Sequence, residues 1–287
     1  MNRRIRRREV LSGAVAYGAV ACGATFATRT RQAAAGQFTG KIQKAVKYQM
    51  IQGDSTVRDK FKMIRDLGFD GVEPGIRHAD QRAEMLQASE ATGVKIHGVV
   101  NSRNPDIKSA IDLAKYFGAT SVLVVVPTLA KGSYLENYRQ RQDIIRRAVD
   151  HAEKQDISIL IENVWASFLN EPLSMARFVD ELDSSRVGVY FDVGNNIRWG
   201  YAAHWIEVLG KRIVKLDIKE YSRELQNSEG LRAGFKVKIG EGSVDWPRVR
   251  RELEQIDFQG WATAEVGGGG RERLADIAQR MNRVLDL

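Results

Sequence analysis

From Ala45 to the C-terminus, short apolar runs alternate with longer amphipathic ones, and this constrains the fold more than any other feature of the chain. "AVKYQMI" is followed by "TVRDKFKMIRDLG", "FDGVE" by "DQRAEMLQASEATG", and "VKIHGVV" by "IKSAIDLAKYFG". "TSVLVVV" precedes a long helical stretch from about Asn137 to Gln155, and "ISILIE" precedes "PLSMARFVDEL". "VGVYFD" leads to "AAHWIEVLG", and "RIVKLDIK" leads through a long loop to "VDWPRVRRELEQI". "WATAEV" leads to a last helix from about Arg271 to Leu287. Runs with period two or continuous apolarity read as strands, and runs with period 3.6 read as helices. Gly68, Gly93, Gly118 and Gly210 stand where helices should close. Strict strand–helix alternation requires parallel pairing. Eight such units in about 250 residues match the size of a (β/α)8 TIM barrel. A doubly wound open sheet is the alternative, but it would carry a phosphate-binding glycine turn after an early strand. None follows "AVKYQMI", and "GGGG" at 267–270 comes after the last strand instead.

In such a barrel, side chains at the C-terminal ends of the strands line the mouth. Six units end in an acid or an imidazole: Glu73, His97, Glu162, Asp192, Asp217 and Glu265. "VKLDIKEY", residues 214–221, is the most unusual, because Lys215, Asp217 and Lys219 share one face of a strand that should be covered on both. Alternation puts Gly188, Tyr190 and Asp192 on one face, and Trp261, Thr263 and Glu265 on another. If these faces point inward, Glu162, Asp192, Asp217 and Glu265 converge. Taken singly, an acid at a strand end is a helix cap or an ion-pair partner. Four together repel one another and call for a cation. Oxygen-only ligation suits Mg²⁺ or Mn²⁺ better than Zn²⁺, which favours His and Cys.

The formal charge of +8 is concentrated at the N-terminus, where residues 1–35 hold seven arginines and one acid. The rest has 37 basic against 35 acidic residues, so it makes no electrostatic case for a nucleic-acid partner. Arg7-Arg8-Glu9-Val10-Leu11-Ser12 resembles the twin-arginine consensus, and an uncharged, Ala- and Gly-rich run follows to Ala27. We therefore expect residues 1–35 to be an export signal and 36–287 a periplasmic barrel, with a cut after Ala35 fitting the small-x-small preference. The alternatives are a membrane anchor, for which the run is short and weakly apolar, and lipid attachment at Cys22, preceded by a poor lipobox. The mature chain is then expected to have no stable membrane span. Cys22 is the single cysteine, so the expected mature chain has no thiol chemistry.

The words "GFDGVEP", "IENV", "YFDVGN", "IVKLDIKEY", "IGEGSVDWPRV" and "GWATAEV" make residues 44–287 similar to the xylose isomerase-like TIM barrel superfamily. The nearest resemblance is to its sugar-phosphate isomerase and ketose 3-epimerase branch. The resemblance implies one divalent metal held at Glu162, Asp192, Asp217 and Glu265. It also implies that Glu162 and Glu265 exchange a proton beside a substrate carbonyl through an enediolate, and that Arg223 contacts substrate oxygens. Three positions depart from the family pattern: Asp217 replaces a usual His, Asn195 stands where many epimerases have a substrate-contacting His, and Phe168 replaces a second Glu.

Further candidates for substrate contact are Glu73, His97, Asn195, Trp165 and Lys219. Trp165, Trp199 and Trp246 offer aromatic faces to a sugar, and Lys238 lies near the "GEG" loop. Ion pairing and core packing are the plain readings of these same residues. His78, His151 and His204 read as surface or capping residues. The expected substrate is a small carbohydrate, and the expected reaction an isomerisation or epimerisation. A lyase or dehydratase acting on a keto-sugar or keto-inositol, or a non-catalytic sugar-binding barrel, are the competing functions. The apurinic endonuclease branch needs a His-rich zinc site, and only one of the four His here ends a strand. Related barrels are often dimers or tetramers, and no sequence feature decides the oligomeric state.

Overall fold

The computed structural model describes residues 35–128, 131–165 and 168–287. The twin-arginine-type segment and Cys22 lie outside these residues. Residues 35–287 form one compact unit. Its strands are β1 (Ile42–Lys47), β2 (Gly71–Glu73), β3 (Lys95–Ile96), β4 (Val99–Ser102), β5 (Ser121–Val124), β6 (Ser158–Glu162), β7 (Val187–Asp192), β8 (Ile213–Ile218) and β9 (Gly260–Ala264). All pair in parallel, in the order β3-β2-β1-β9-β8-β7-β6-β5-β4. The two ends of that order, β3 and β4, are consecutive in the chain. They are halves of the single expected strand "VKIHGVV", interrupted at His97-Gly98, and a Gly75–Val100 bridge ties β4 back towards β2. The sheet is thus a closed barrel of eight strand positions, as the alternation predicts. At the break the Glu73 carboxylate packs so close that a Cβ at Gly98 would collide with it, which accounts for glycine at that position.

Alternate residues of each strand face opposite ways, and the buried apolar residues separate accordingly. Ile159, Ile161, Val189, Phe191, Leu216 and Ile218 join the large cluster between the barrel and its helices. Leu123, Leu160 and Tyr190 form a separate small cluster. The interleaved residues of β7 and β8, Tyr190, Asp192, Lys215 and Asp217, are also buried, on the opposite face, which is the barrel interior.

The outer helices are α1 (Val57–Asp66), α2 (Arg82–Thr92), α3 (Ile107–Tyr116), α4 (Tyr134–Gln155), α5 (Pro172–Asp180), α6 (Ala202–Leu209), α7 (Arg223–Glu229), α8 (Trp246–Gln255) and α9 (Arg271–Leu285). The four expected closing glycines all adopt positive φ. Two boundaries differ from the sequence reading. Helix α4 starts one turn before Asn137, because Ser133 and Glu136 form a reciprocal capping box. The long loop after β8 contains α7, capped by the Ser222 hydroxyl, and a short 3₁₀ turn at Ala233–Lys236. Among the described residues no helix is long and apolar enough to cross a membrane.

Candidate active site

Glu162 and Asp192 end β6 and β7, Asp217 is the penultimate residue of β8, and Glu265 directly follows β9. One carboxylate oxygen from each lies within 4.8 Å of the others, so the convergence expected from alternation is present. The backbone aims these groups. Asp192 Oδ1 accepts from Gly194 N and Asn195 N, both at 2.8 Å, which turns Oδ2 towards the cluster. Asn195 Nδ2 donates to Glu162 Oε1 at 3.0 Å, and Asn163 fastens β6 to β7 by accepting from Asp192 N and donating to Asp192 O.

Lys219 reaches into the same space. Its Nζ is 2.8 Å from Asp192 Oδ2 and 2.7 Å from Glu265 Oε2, and it donates to Asn195 Oδ1 at 3.1 Å. Below it, Lys47 of β1 joins two strands, with Nζ 2.6 Å from Glu73 Oε2 and 2.9 Å from Asp217 Oδ1. Asp192 Oδ2, Glu265 Oε2 and Asp217 Oδ1 are buried and meet only these ammonium groups, and Asp217 Oδ2 is buried with no partner at all. Five buried or half-buried carboxylates (Glu73, Glu162, Asp192, Asp217, Glu265) face three ammonium groups (Lys47, Lys215, Lys219). Full ionisation therefore leaves an excess of two negative charges, which one divalent cation would cancel. The donor set and its unsatisfied oxygens fit such an ion.

The same crowding shifts the acidities. Burial, reinforced by Glu265, pushes Glu162 up to about 8, with Lys219 opposing. Burial also raises Asp192, to about 6 against the pull of Lys219, and it carries Asp217 well above the carboxylate range against the pull of Lys47. Glu265 goes the other way. Burial works to raise it, yet Lys219 and then Lys47 outweigh burial and bring it down to about 2. Lys219, despite its burial, is held charged by Asp192, Glu265 and Glu162.

A second polar layer lies deeper in the barrel. The Tyr190 hydroxyl donates to Glu73 Oε2 at 3.1 Å and lies 2.8 Å from Thr263 Oγ1, which is 3.1 Å from His97 Nε2. Lys215 Nζ donates to the His97 carbonyl at 2.5 Å and lies 3.1 Å from its Nδ1. The His97 ring stacks on Trp261, with centroids 4.4 Å apart. Burial, then Lys215 and Lys47, keeps His97 well below its usual range and therefore neutral.

The structure therefore divides the sequence-derived candidates. Glu162, Asp192, Asp217, Glu265, Asn195 and Lys219 are brought together. Glu73 and His97 are placed beneath them, closed off in the interior by Lys47, Tyr190, Thr263 and Lys215. Arg223 spends its guanidinium on the backbone carbonyls of Ile197 and Gly200, and so braces the loop after β7. Trp165 lines a groove that also includes Asn195. His78 accepts from Gly75 N and His151 pairs with Asp112 on the surface, as their placement outside the strands suggested. Sequence reasoning passed over Lys47 and Glu220. Lys47 carries the signal that singled out Asp217, a charge in an apolar strand. Glu220 accepts from Gly240 N, Val244 N and Trp246 Nε1, and so shapes the "GEG" loop.

A closed parallel barrel with a carboxylate cluster at the C-terminal ends of its strands carries its candidate site at the face where such barrels carry their active sites. The chain belongs to the xylose isomerase-like TIM barrel family, whose sequence model matches residues 61–285. It is 24% identical over 249 residues to an Escherichia coli protein provisionally named L-ribulose-5-phosphate 3-epimerase SgbU, covering 76% of this chain and 86% of that one. The 3-keto-D-glucoside 4-epimerase YcjR of E. coli has a similar fold, with a TM-score of 0.70 at 15% identity over 85% of this chain and 99% of that chain. So does the IolI protein solved with a bound zinc atom, with a TM-score of 0.70 at 16% identity over 85% of this chain and 98% of that chain.

Proposed function

We propose that the chain is an exported, divalent-metal-dependent isomerase or epimerase of a free sugar or sugar derivative. The observation that carries this reading is the convergence of Glu162, Asp192, Asp217 and Glu265 within 4.8 Å at the barrel mouth. These four would hold the ion, and their hard oxygen set favours Mn²⁺ or Mg²⁺. The bound ion would acidify the C–H beside a coordinated carbonyl and stabilise the oxyanion that develops when the proton leaves. Glu162 and Glu265 are the proton-exchanging pair: one carboxylate removes the proton and the other returns it. Asn195 holds Glu162 in position through Oε1, and Lys219 sets the charge of Glu265 and Asp192. The departure at Asp217 is balanced by Lys47, whose ammonium offsets the extra negative charge. Family membership and the sugar-epimerase names of the relatives support the substrate class. The twin-arginine-type segment supports export, and points away from phosphorylated intermediates of the cytoplasm.

The test is to measure bound metal in the purified protein, then incubate it with ketoses, keto-inositols and 3-keto-glycosides in D₂O. Deuterium entering recovered sugar supports the reading. Loss of water or of an aglycone assigns a lyase. Absence of bound divalent ion, with Asp217→Ala leaving activity unchanged, overturns the metal site.

A further inference from the structure

Beside the carboxylate cluster lies a groove of about 350 Å³ whose lining includes Trp165, Asn195, Asn196, Trp199, Tyr201 and His204. We propose that it is a subsite for a second, neutral pyranose ring, so that the substrate is a glycoside whose carbonyl-bearing ring sits among the carboxylates. This inference rests on the sugar reading above and narrows it.

Three observations carry it. The first is the groove's continuity with the site. Asn195 lines the groove and donates to Glu162 Oε1 at 3.0 Å, so a ligand filling both spaces meets the same side chain. The second is exposed aromatic surface. Trp199 is 75% exposed, Tyr201 49% and Trp165 39%, in a protein whose other two tryptophans at helices, Trp205 and Trp246, are buried. Exposed rings of this size forgo a large burial free energy unless something covers them.

The third is that these rings are held in place. Residues after β7 wind through turns, with Ile197 N bonded to Gly194 O, Trp199 N to Asn196 O and Gly200 N to Asn196 O. Arg198 therefore follows Asn195 by one turn, and its guanidinium lies 5.1 Å from the Trp165 ring centroid and 4.7 Å from that of Trp199. The Arg198 side chain makes no hydrogen bond or ion pair among the described residues, and its buried Nε has no partner. Its one visible task is to hold two indoles. From behind, Arg223 fixes the Ile197 and Gly200 carbonyls and stacks 4.8 Å from the Tyr201 ring. Rings held this way lose little freedom on binding. The flat aromatic faces match the apolar C–H faces of a pyranose, beside an Asn195 amide already engaged by Glu162, Asn163 and Lys219.

The test uses the full chain loaded with Mn²⁺, titrated with cellobiose, maltose and lactose and, in parallel, with glucose and galactose. Affinity is read by calorimetry and by tryptophan emission. We expect at least one disaccharide to bind about tenfold or more tightly than its component monosaccharide, with a change in emission. Trp199→Ala should abolish that gain, and Trp199→Phe, which keeps a flat ring, should retain part of it. Equal affinities for mono- and disaccharides, or a gain that survives Trp199→Ala, overturns the subsite. So does self-association of the protein that Trp199→Ala abolishes, since the rings would then cover a second copy. Deuterium exchange into monosaccharides without any second-ring gain sinks the subsite alone. A disaccharide gain without deuterium exchange into any sugar sinks the proposed chemistry alone.

Discussion

The barrel interior holds two polar layers with opposite characters. In the deeper one, Lys47, Glu73, His97, Tyr190, Lys215 and Thr263 are almost wholly buried and are linked to one another. In the upper one, Asp192 Oδ2, Glu265 Oε2 and Asp217 Oδ1 meet only lysine ammonium groups, and Asp217 Oδ2 meets no donor. Buried polar groups normally find partners; apart from Glu73 Oε1 the first layer is linked throughout and reads as scaffold, while the second, with four converging carboxylates, reads as a place for something to bind. Asp217 joins them, since its charge leans on Lys47 below while its oxygens face the cluster above.

That contrast can be broken at several points. The largest effect is expected in the upper layer, where Glu265→Gln should slow deuterium exchange by about 10²- to 10⁴-fold. Thermal stability should fall less than for a change in the scaffold, because Lys219 loses its ion pair with Glu265 but keeps the one with Asp192. A large loss of stability instead would make Glu265 part of the scaffold. In the lower layer the signs reverse. Lys47→Met leaves Glu73 and Asp217 uncompensated and should cost about 3–5 kcal/mol in urea unfolding of the metal-free protein. Tolerance of that change would mean the lower layer is not holding the barrel together.

The acidities offer a third way. Glu162 and Asp192 titrate at about 8 and about 6 in the fold, above ordinary carboxylates. Above pH 4.5 an unfolded chain sheds protons that the folded one keeps, so metal-free stability should fall as pH rises from about 5 to about 8. Bound Mn²⁺ should reverse the trend, because it replaces those protons. Glu162→Gln should flatten the decline, and a pH-independent melting temperature would contradict the crowded cluster.

A smaller effect is expected at Lys219, whose ammonium shares oxygens with the proposed ion. Lys219→Met should tighten Mn²⁺ binding by on the order of tenfold in calorimetry. Weaker binding would show that the lysine supports the ion. Smallest of all, Tyr190→Phe should cost about 1 kcal/mol of stability, with metal affinity unchanged.

Much of this architecture was legible in the chain. Period-two alternation carried Asp192, Asp217 and Glu265 to one face each, and the regular spacing of eight units forced the parallel barrel. The need for glycine at position 98 was not legible, because it follows from the Glu73 carboxylate arriving from a different strand. Nor was the depth of a side chain along the barrel axis. Glu73 and His97 end their apolar runs much as Glu162 does, yet they finish beneath the mouth. The motif points Arg223 towards substrate, and the contact its guanidinium makes with the carbonyls of Ile197 and Gly200 is not readable from the chain.

By itself, then, the sequence determined which strands exist, which faces they show and that their inward ends are acidic, since local periodicity is a property of neighbouring residues. The tertiary structure decided which charges meet. Lys47 and Asp217 are 170 positions apart in the chain, and Arg198 is sandwiched between Trp165 and Trp199, which come from different loops. Strand stagger and loop path set such distances, and these depend on how the whole barrel closes.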